Sequence, residues 1–191
     1  MRTIGIILSL VLTVIGCREA AAQQDSSKNM KPQKALVVYY SWSGNTEAVA
    51  KKIQAETQAD LFEIELQKPY PTDYSTCVEE YRADKRENRA RPLKRKLENI
   101  ADYDTVYLGS PIWSGTIALP VKTFLSEHDL SGKRVIPFVT HGGGGAGSSF
   151  SDMKKLAPRA EFSKGLSLYG SHSGFESDVK KWLEQTMNKN R

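Results

Sequence analysis

The sequence predicts an α/β domain whose sheet is parallel and doubly wound, with helices on both faces. Two observations predict this. Strand-like and helix-like runs alternate from residue 35 to near the end of the 191-residue chain, and such alternation calls for right-handed crossovers between parallel strands. Two of the strand-like runs, Ala35–Tyr40 and Thr105–Gly109, are almost continuously apolar, as strands covered on both faces are. The roughly 157 residues from position 35 onward suit one domain with a full core.

The elements follow in order. Ala35–Tyr40 is the first strand, and a helix through Val49 and Ile53 begins soon after it. Leu61–Leu66 alternates, with Phe62, Ile64 and Leu66 opposed by Glu63 and Glu65, which fits an edge strand with one wetter face. Region 70–98 is longer than one crossover needs and predicts a helix around Tyr74–Lys85 followed by a surface excursion. Thr105–Gly109 is the third strand. Leu119-Pro120-Val121 opens a helix with proline in its first turn, and Phe124 and Leu125 continue its apolar face. Val135–Thr140 is the fourth strand, although Pro137 argues against a central position. Ser148–Leu156 reads as a helix and Gly165–Tyr169 as a weaker fifth strand. The last helix places Val179, Trp182, Leu183 and Met187 on one stripe. No internal repeat is present.

Residues 1–16 read as an export signal rather than as fold. Arg2 supplies a positive start, and the apolar run Ile4–Ile15 is too short to span a bilayer comfortably. The run ends Val14-Ile15-Gly16-Cys17, which resembles the lipobox of bacterial lipoproteins. That resemblance implies cleavage before Cys17, acylation of its thiol, and anchoring through several acyl chains. It places the chain on the periplasmic side of the cell envelope, with the outer membrane favoured because Arg18 rather than Asp follows the cysteine. The competing reading is an ordinary signal cut near Ala20-Ala21-Ala22. Residues 17–34 form a polar tether that spans about 20–25 Å as a coil. Cys77 is the one other cysteine, read as an apolar filler.

The formal charge of +5 falls to +4 when Arg2 leaves with the signal. Much of it lies in Arg82, Lys85, Arg86, Arg89, Arg91, Lys94, Arg95 and Lys96, against Asp84 and Glu87. This stretch reads as a solvated helix and loop, or as a contact surface for anionic lipid or an acidic partner. No aromatic residues interleave with those charges, which argues against nucleic acid.

In a parallel sheet all strand-to-helix loops open at the carboxyl edge, where ligands bind. Three such loops here are polar and rich in glycine. The first, Ser41-Trp42-Ser43-Gly44-Asn45-Thr46, puts hydroxyls around a helix start, whose free N–H groups and dipole favour a phosphate. An ordinary N-cap accounts for the same residues. No lysine stands there, so the P-loop pattern of nucleotide triphosphatases is absent. The second loop is Gly109-Ser110-Pro111-Ile112-Trp113-Ser114-Gly115-Thr116, and the third is Thr140-His141-Gly142-Gly143-Gly144-Gly145-Ala146-Gly147-Ser148. Trp113 is either covered by a flat ligand or anchors its loop to the core. Gly142, Gly144 and Gly147 satisfy G-x-G-x-x-G, and Glu161 lies near the spacing of a ribose acid. The dinucleotide fingerprint follows a first strand, however, and this run follows the fourth.

Ser-x-Ser-Gly-Asn-Thr, Gly-x-Pro-Ile-Trp and Thr-His-Gly-Gly-x-Gly, in that order after strands one, three and four, resemble the flavodoxin family, especially its branch with Pro-Ile-Trp and Thr-x-Gly-Gly loops. Leu61-Phe62-Glu63-Ile64, Tyr70-Pro71-Thr72-Asp73-Tyr74 and Asp129-Leu130-Ser131-Gly132-Lys133 extend the likeness over residues 35 to about 185. The resemblance implies a flavodoxin-like three-layer α/β/α sandwich, with a five-stranded parallel sheet of order 2-1-3-4-5 and FMN bound non-covalently. It assigns Ser41, Ser43, Gly44, Asn45 and Thr46 to the phosphate, with Trp42 as a wall. Pro111, Ile112 and Trp113 go against the isoalloxazine, Ser114 and Gly115 near its N5. Thr140, Gly142, Gly143 and Gly144 approach its pyrimidine edge. His141 is the one ionisable side chain of these loops, read as a rim contact or as a proton donor. Where many relatives carry a second tryptophan, this chain has Ser114.

The expected function is electron transfer by a membrane-anchored FMN protein, a monomer or weak dimer serving a transient redox partner protein or quinone. One alternative is an FMN-dependent NAD(P)H or quinone oxidoreductase. Another is a binding lipoprotein on a flavodoxin scaffold without cofactor. No metal site is expected.

Overall fold

The computed structural model describes residues 34–187. The expected signal, Cys17 and the expected tether up to residue 33 lie outside the described residues. Seven strands and five α-helices alternate, beginning with strand β1 (Ala35–Tyr39), helix α1 (Asn45–Thr57), strand β2 (Asp60–Glu63) and helix α2 (Tyr74–Arg86). Strand β3 (Thr105–Trp113) and the short β4 (Thr116–Ile117) precede helix α3 (Leu119–Glu127) and strand β5 (Arg134–His141). Helix α4 (Ser149–Leu156), strands β6 (Glu161–Phe162) and β7 (Leu166–Tyr169), and helix α5 (Phe175–Met187) complete the chain.

The sheet runs β2-β1-β3-β5-β6, with β7 also paired to β5, and all of these pairings are parallel. This is the 2-1-3-4-5 order, the fifth position being shared by two short segments. Alternate residues of each strand feed opposite cores. Val37, Tyr39, Tyr107, Ile136 and Phe138 pack with Val49, Ile53, Val179, Trp182 and Leu183 of α1 and α5. Leu36, Val38, Val106, Leu108 and Val135 pack with Cys77, Tyr81, Val121, Phe124 and Met153 of α2, α3 and α4. The three layers follow from this division, each fully buried aliphatic or aromatic side chain contributing about 1.5–3 kcal/mol. Met187 departs from the expected stripe: it is the last residue of α5 and 49% exposed.

Two further expectations change. Pro137 lies in β5, which is interior to the sheet and pairs through Leu108↔Pro137 with β3. On its other side β6 ends opposite Val135 and β7 begins opposite Phe138. The outer strand is therefore broken opposite Pro137, and the missing N–H costs no ladder bond there. The third strand, expected to stop at Gly109, runs on to Trp113 and turns back as β4, pairing Ile112↔Ile117 and Trp113↔Thr116. Ser114 and Gly115 carry φ values of 50° and 78°. Positive φ at both central residues is the type I′ geometry that matches the twist of a two-residue hairpin.

Candidate functional site

A cleft of about 650 Å³ opens at the carboxyl edge of the sheet, within the usual range of ligand pockets. The three predicted loops converge on it. Trp42, Ser43, Asn45, Thr46, Pro111, Ile112, Trp113, Ser114, Thr140, His141 and Gly142 line it. Ser41, Gly44, Gly115, Gly143 and Gly144 shape the same loops without lining the cleft. Among the described residues no Asp or Glu lines it, and Arg82 is its one permanently charged side chain.

At one end stands the start of α1. Gly44 is its N-cap, in a left-handed conformation at φ 85°, and no side chain caps the helix. By contrast, α2 is capped in the ordinary way: Asp73 accepts from the Thr76 backbone N–H at 2.9 Å and from the Thr76 hydroxyl at 2.7 Å. The α1 start therefore keeps its first N–H groups free for an external acceptor. Thr46 lies beneath, its hydroxyl 2.8 Å from that of Thr140, which joins the first loop to the third. Asn45 spans a further gap. Its amide Nδ2 donates to Ser43 Oγ at 3.1 Å, and its Oδ1 accepts from the Ser171 backbone N–H and hydroxyl at 3.1 and 2.8 Å. The Ser41 hydroxyl is buried and has no partner among the described residues.

The hairpin forms the second wall. Its tip is bolted to α4: the Ser148 backbone N–H donates to Gly115 O at 2.8 Å, and the Thr116 hydroxyl donates to Asp152 at 2.6 Å. Ser148 also donates its hydroxyl to Asp152, and these bonds hold the Asp152 carboxyl below the usual carboxylate range. Gly147 completes the joint, since a Cβ there would lie 2.1 Å from Gly115 O. Trp113 is held by three T-shaped ring contacts. Tyr70, Tyr81 and Tyr40 meet it at centroid distances of 5.0, 5.0 and 5.7 Å, all near perpendicular, and Tyr81 donates its hydroxyl to Trp113 O at 3.1 Å. Trp113 thus both lines the cleft and is anchored to the core. In the third loop His141 Nδ1 accepts from the Gly143 N–H at 3.1 Å, and its ring forms a T-shaped pair with Tyr169.

Sequence reasoning missed two walls. Helix α2 supplies Tyr74, Cys77, Val78, Tyr81 and Arg82, and the turn after β7 supplies Tyr169, Gly170, Ser171 and His172. The second was within reach, because a fifth parallel strand must also open its loop at this edge. The basic stretch after α2 is less free than its composition suggests: Arg89, Arg91, Lys94 and Arg95 all pair with Asp84, Glu87, Glu80 or Glu65. Cys77 is buried, which pushes its thiol up. Glu161 opens β6 opposite Arg134, at the far edge of the sheet from the glycine run, so the two cannot share a dinucleotide.

The flavodoxin family model matches residues 34–186. A solved structure from Bacteroides eggerthii, named provisionally as a flavoprotein, is 32% identical and superposes with a TM-score of 0.70 over 81% of this chain and 98% of that one. A flavoprotein from Lactobacillus acidophilus solved in complex with FMN is 26% identical, with a TM-score of 0.62 over 79% of this chain and 99% of its own. No curated protein matches the chain. With the sheet order, the three loops and a family match that spans nearly the whole described domain, the chain belongs to the flavodoxin family.

Proposed function

We propose that this protein binds FMN non-covalently in the cleft and carries electrons, tethered to the cell envelope through acylated Cys17. One observation carries the reading: an α1 start left without a side-chain cap faces the same cleft as a hairpin-braced Trp113, with no acidic side chain lining it. That donor set fits the cofactor. Free N–H groups at Asn45 to Glu47 and the Ser43 hydroxyl suit a phosphate. Pro111, Ile112 and Trp113 offer a flat apolar wall, and Thr140 and Gly142 line the cleft where the polar edge of a ring would approach the backbone. His141 is occupied at Nδ1, so its Nε2 is the nitrogen left to meet a ligand at the rim. The bound isoalloxazine supplies the electron chemistry, and the protein supplies position and field. A Lactobacillus relative solved with FMN supports the choice of cofactor.

The test is titration of cofactor-free protein with FMN by calorimetry, alongside the visible spectrum of protein as purified. Saturable binding and a yellow protein are expected; no heat at millimolar FMN would overturn the reading and leave a scaffold without cofactor. Mass spectrometry of the membrane-extracted protein tests the acyl groups on Cys17. A second reading, an FMN-dependent NAD(P)H or quinone oxidoreductase, draws support from Arg82, which lines the cleft and makes no ion pair among the described residues. Rapid bleaching of the flavin by NADH or a quinol in stopped flow would favour it over a carrier that needs a protein partner.

A further inference from the structure

We infer that the buried Asp84–Tyr70 pair is a positioning device for Trp113, setting the affinity of the cleft for a flat ring although neither residue lines it. The inference rests on the FMN reading for its ligand. The Asp84 side chain is 2% exposed, and three donors from two stretches of chain converge on it. Tyr70 donates its hydroxyl to Oδ2 at 2.8 Å, Arg91 its Nε–H to the same oxygen at 2.6 Å, and Arg89 a guanidinium N–H to Oδ1 at 3.3 Å. Arg91 arrives from the excursion between α2 and β3. Its guanidinium lies 3.6 Å from the centroid of the Tyr70 ring, and its other arm reaches Glu80 at 2.6 Å. Tyr70 is thereby clamped at its hydroxyl and on its face, and its ring forms a T-shaped pair with Trp113 at 5.0 Å and 81°.

An apolar side chain would fill the place of Asp84 without desolvating a charge. The carboxylate adds direction: it anchors the tip of Tyr70 and orients Arg91, whose guanidinium on the ring face restrains rotation about the ring axis, and the ring in turn limits the rotamers open to the indole. Tyr81 holds the other flank and the Trp113 carbonyl. A wall ordered in advance loses less freedom when the ligand arrives, and ordering one such side chain changes affinity by about three- to tenfold. The long excursion after α2, which one crossover does not need, acquires a purpose here: it delivers Arg91.

The test uses Tyr70→Phe, which deletes the hydroxyl and keeps the ring, with FMN and riboflavin as probes in flavin-fluorescence titrations. Dissociation constants for both flavins should rise by the same factor, about three- to tenfold, because the ring contact is loosened and the phosphate contact is not. Asp84→Asn should weaken both probes at least as much, and the double variant no more than Asp84→Asn alone. Arg89→Ala, which removes the exposed partner on the other oxygen, should leave both constants within about twofold. Unchanged affinity in Tyr70→Phe, loss confined to FMN, or additive losses would overturn the inference. A second readout needs no flavin. The three tryptophans labelled as fluorotryptophan give separate fluorine NMR signals, and Tyr70→Phe should broaden or shift that of Trp113 selectively, at an unchanged fold by far-UV circular dichroism. An unaltered Trp113 signal refutes the positioning role. Failure of the wild type to bind either flavin refutes the FMN reading alone.

Discussion

Gly109→Ala is the sharpest test of how the sheet carries its ligand edge. Gly109 sits in β3 directly beside Phe138 of β5, and a Cβ there would lie 2.2 Å from Phe138 Cζ, with two more ring carbons at 2.5 and 2.9 Å. The backbone at this position is ordinary extended strand, so alanine meets no conformational penalty and the whole cost is steric. Restoring ordinary contact requires the ring to retreat by about 1.2 Å, and Phe138 is fully buried with nowhere to go. Overpacking of this kind costs about 3 kcal/mol. Phe138→Leu removes the offending ring tip and by itself costs about 1–2 kcal/mol for the cavity. In the double variant the new methyl occupies part of that cavity, so the total should be near that of Phe138→Leu alone. The coupling energy is then about 3 kcal/mol, far outside the error of additivity. Urea unfolding followed by far-UV circular dichroism measures all four proteins. A loss below about 1 kcal/mol for Gly109→Ala, or additive losses, would show that the Phe138 ring does not pack on Gly109.

Other outcomes follow from the site. Trp113→Ala should weaken FMN binding by about 1–3 kcal/mol, read by calorimetry; unchanged affinity would make the indole an anchor only. The absence of acidic side chains from the cleft, and Arg82 within it, should make the hydroquinone couple less negative than in acidic flavodoxins. One charge at about 10 Å and an effective dielectric near 40 is worth roughly 0.8 kcal/mol, or about 35 mV for one electron. Arg82→Glu changes the charge by two and should lower the midpoint by about 70 mV before salt screening, in spectroelectrochemistry; an unmoved midpoint would place Arg82 too far from the flavin to matter. Asp152 is held low by hydroxyl donors, so its folded-state value lies below its unfolded one. Its contribution to stability is complete above about pH 4 and is lost as the pH falls through the folded value. Asp152→Asn should flatten the acid limb of the stability curve, and an unchanged limb in acid titration would refute the linkage.

The sheet order and the three loops were legible because apolar runs and punctuating glycines are local signals. What escaped depends on partners distant in sequence. Ser114 does not announce a left-handed residue, so the hairpin that carries Trp113 looked like a loop. Pro137 argued for an edge because its missing donor is visible in sequence, whereas the break in the neighbouring strand is not. Asp84 and Arg91 read as members of a charged stretch, and only folding turns them inward toward Tyr70. Helix α2 gives no hint in its pattern that Tyr74, Val78 and Arg82 border a cleft, since one face of any amphipathic helix must meet something.

The interrupted outer strand has a consequence beyond accommodating a proline. One margin of the sheet is a four-residue segment, and the other is split into pieces of two and four residues. Neither offers a long row of unsatisfied amides on which another copy could anneal. Copies of the domain brought to high concentration therefore find little strand edge to extend into a fibre, although the flanks of the sheet are short rather than covered.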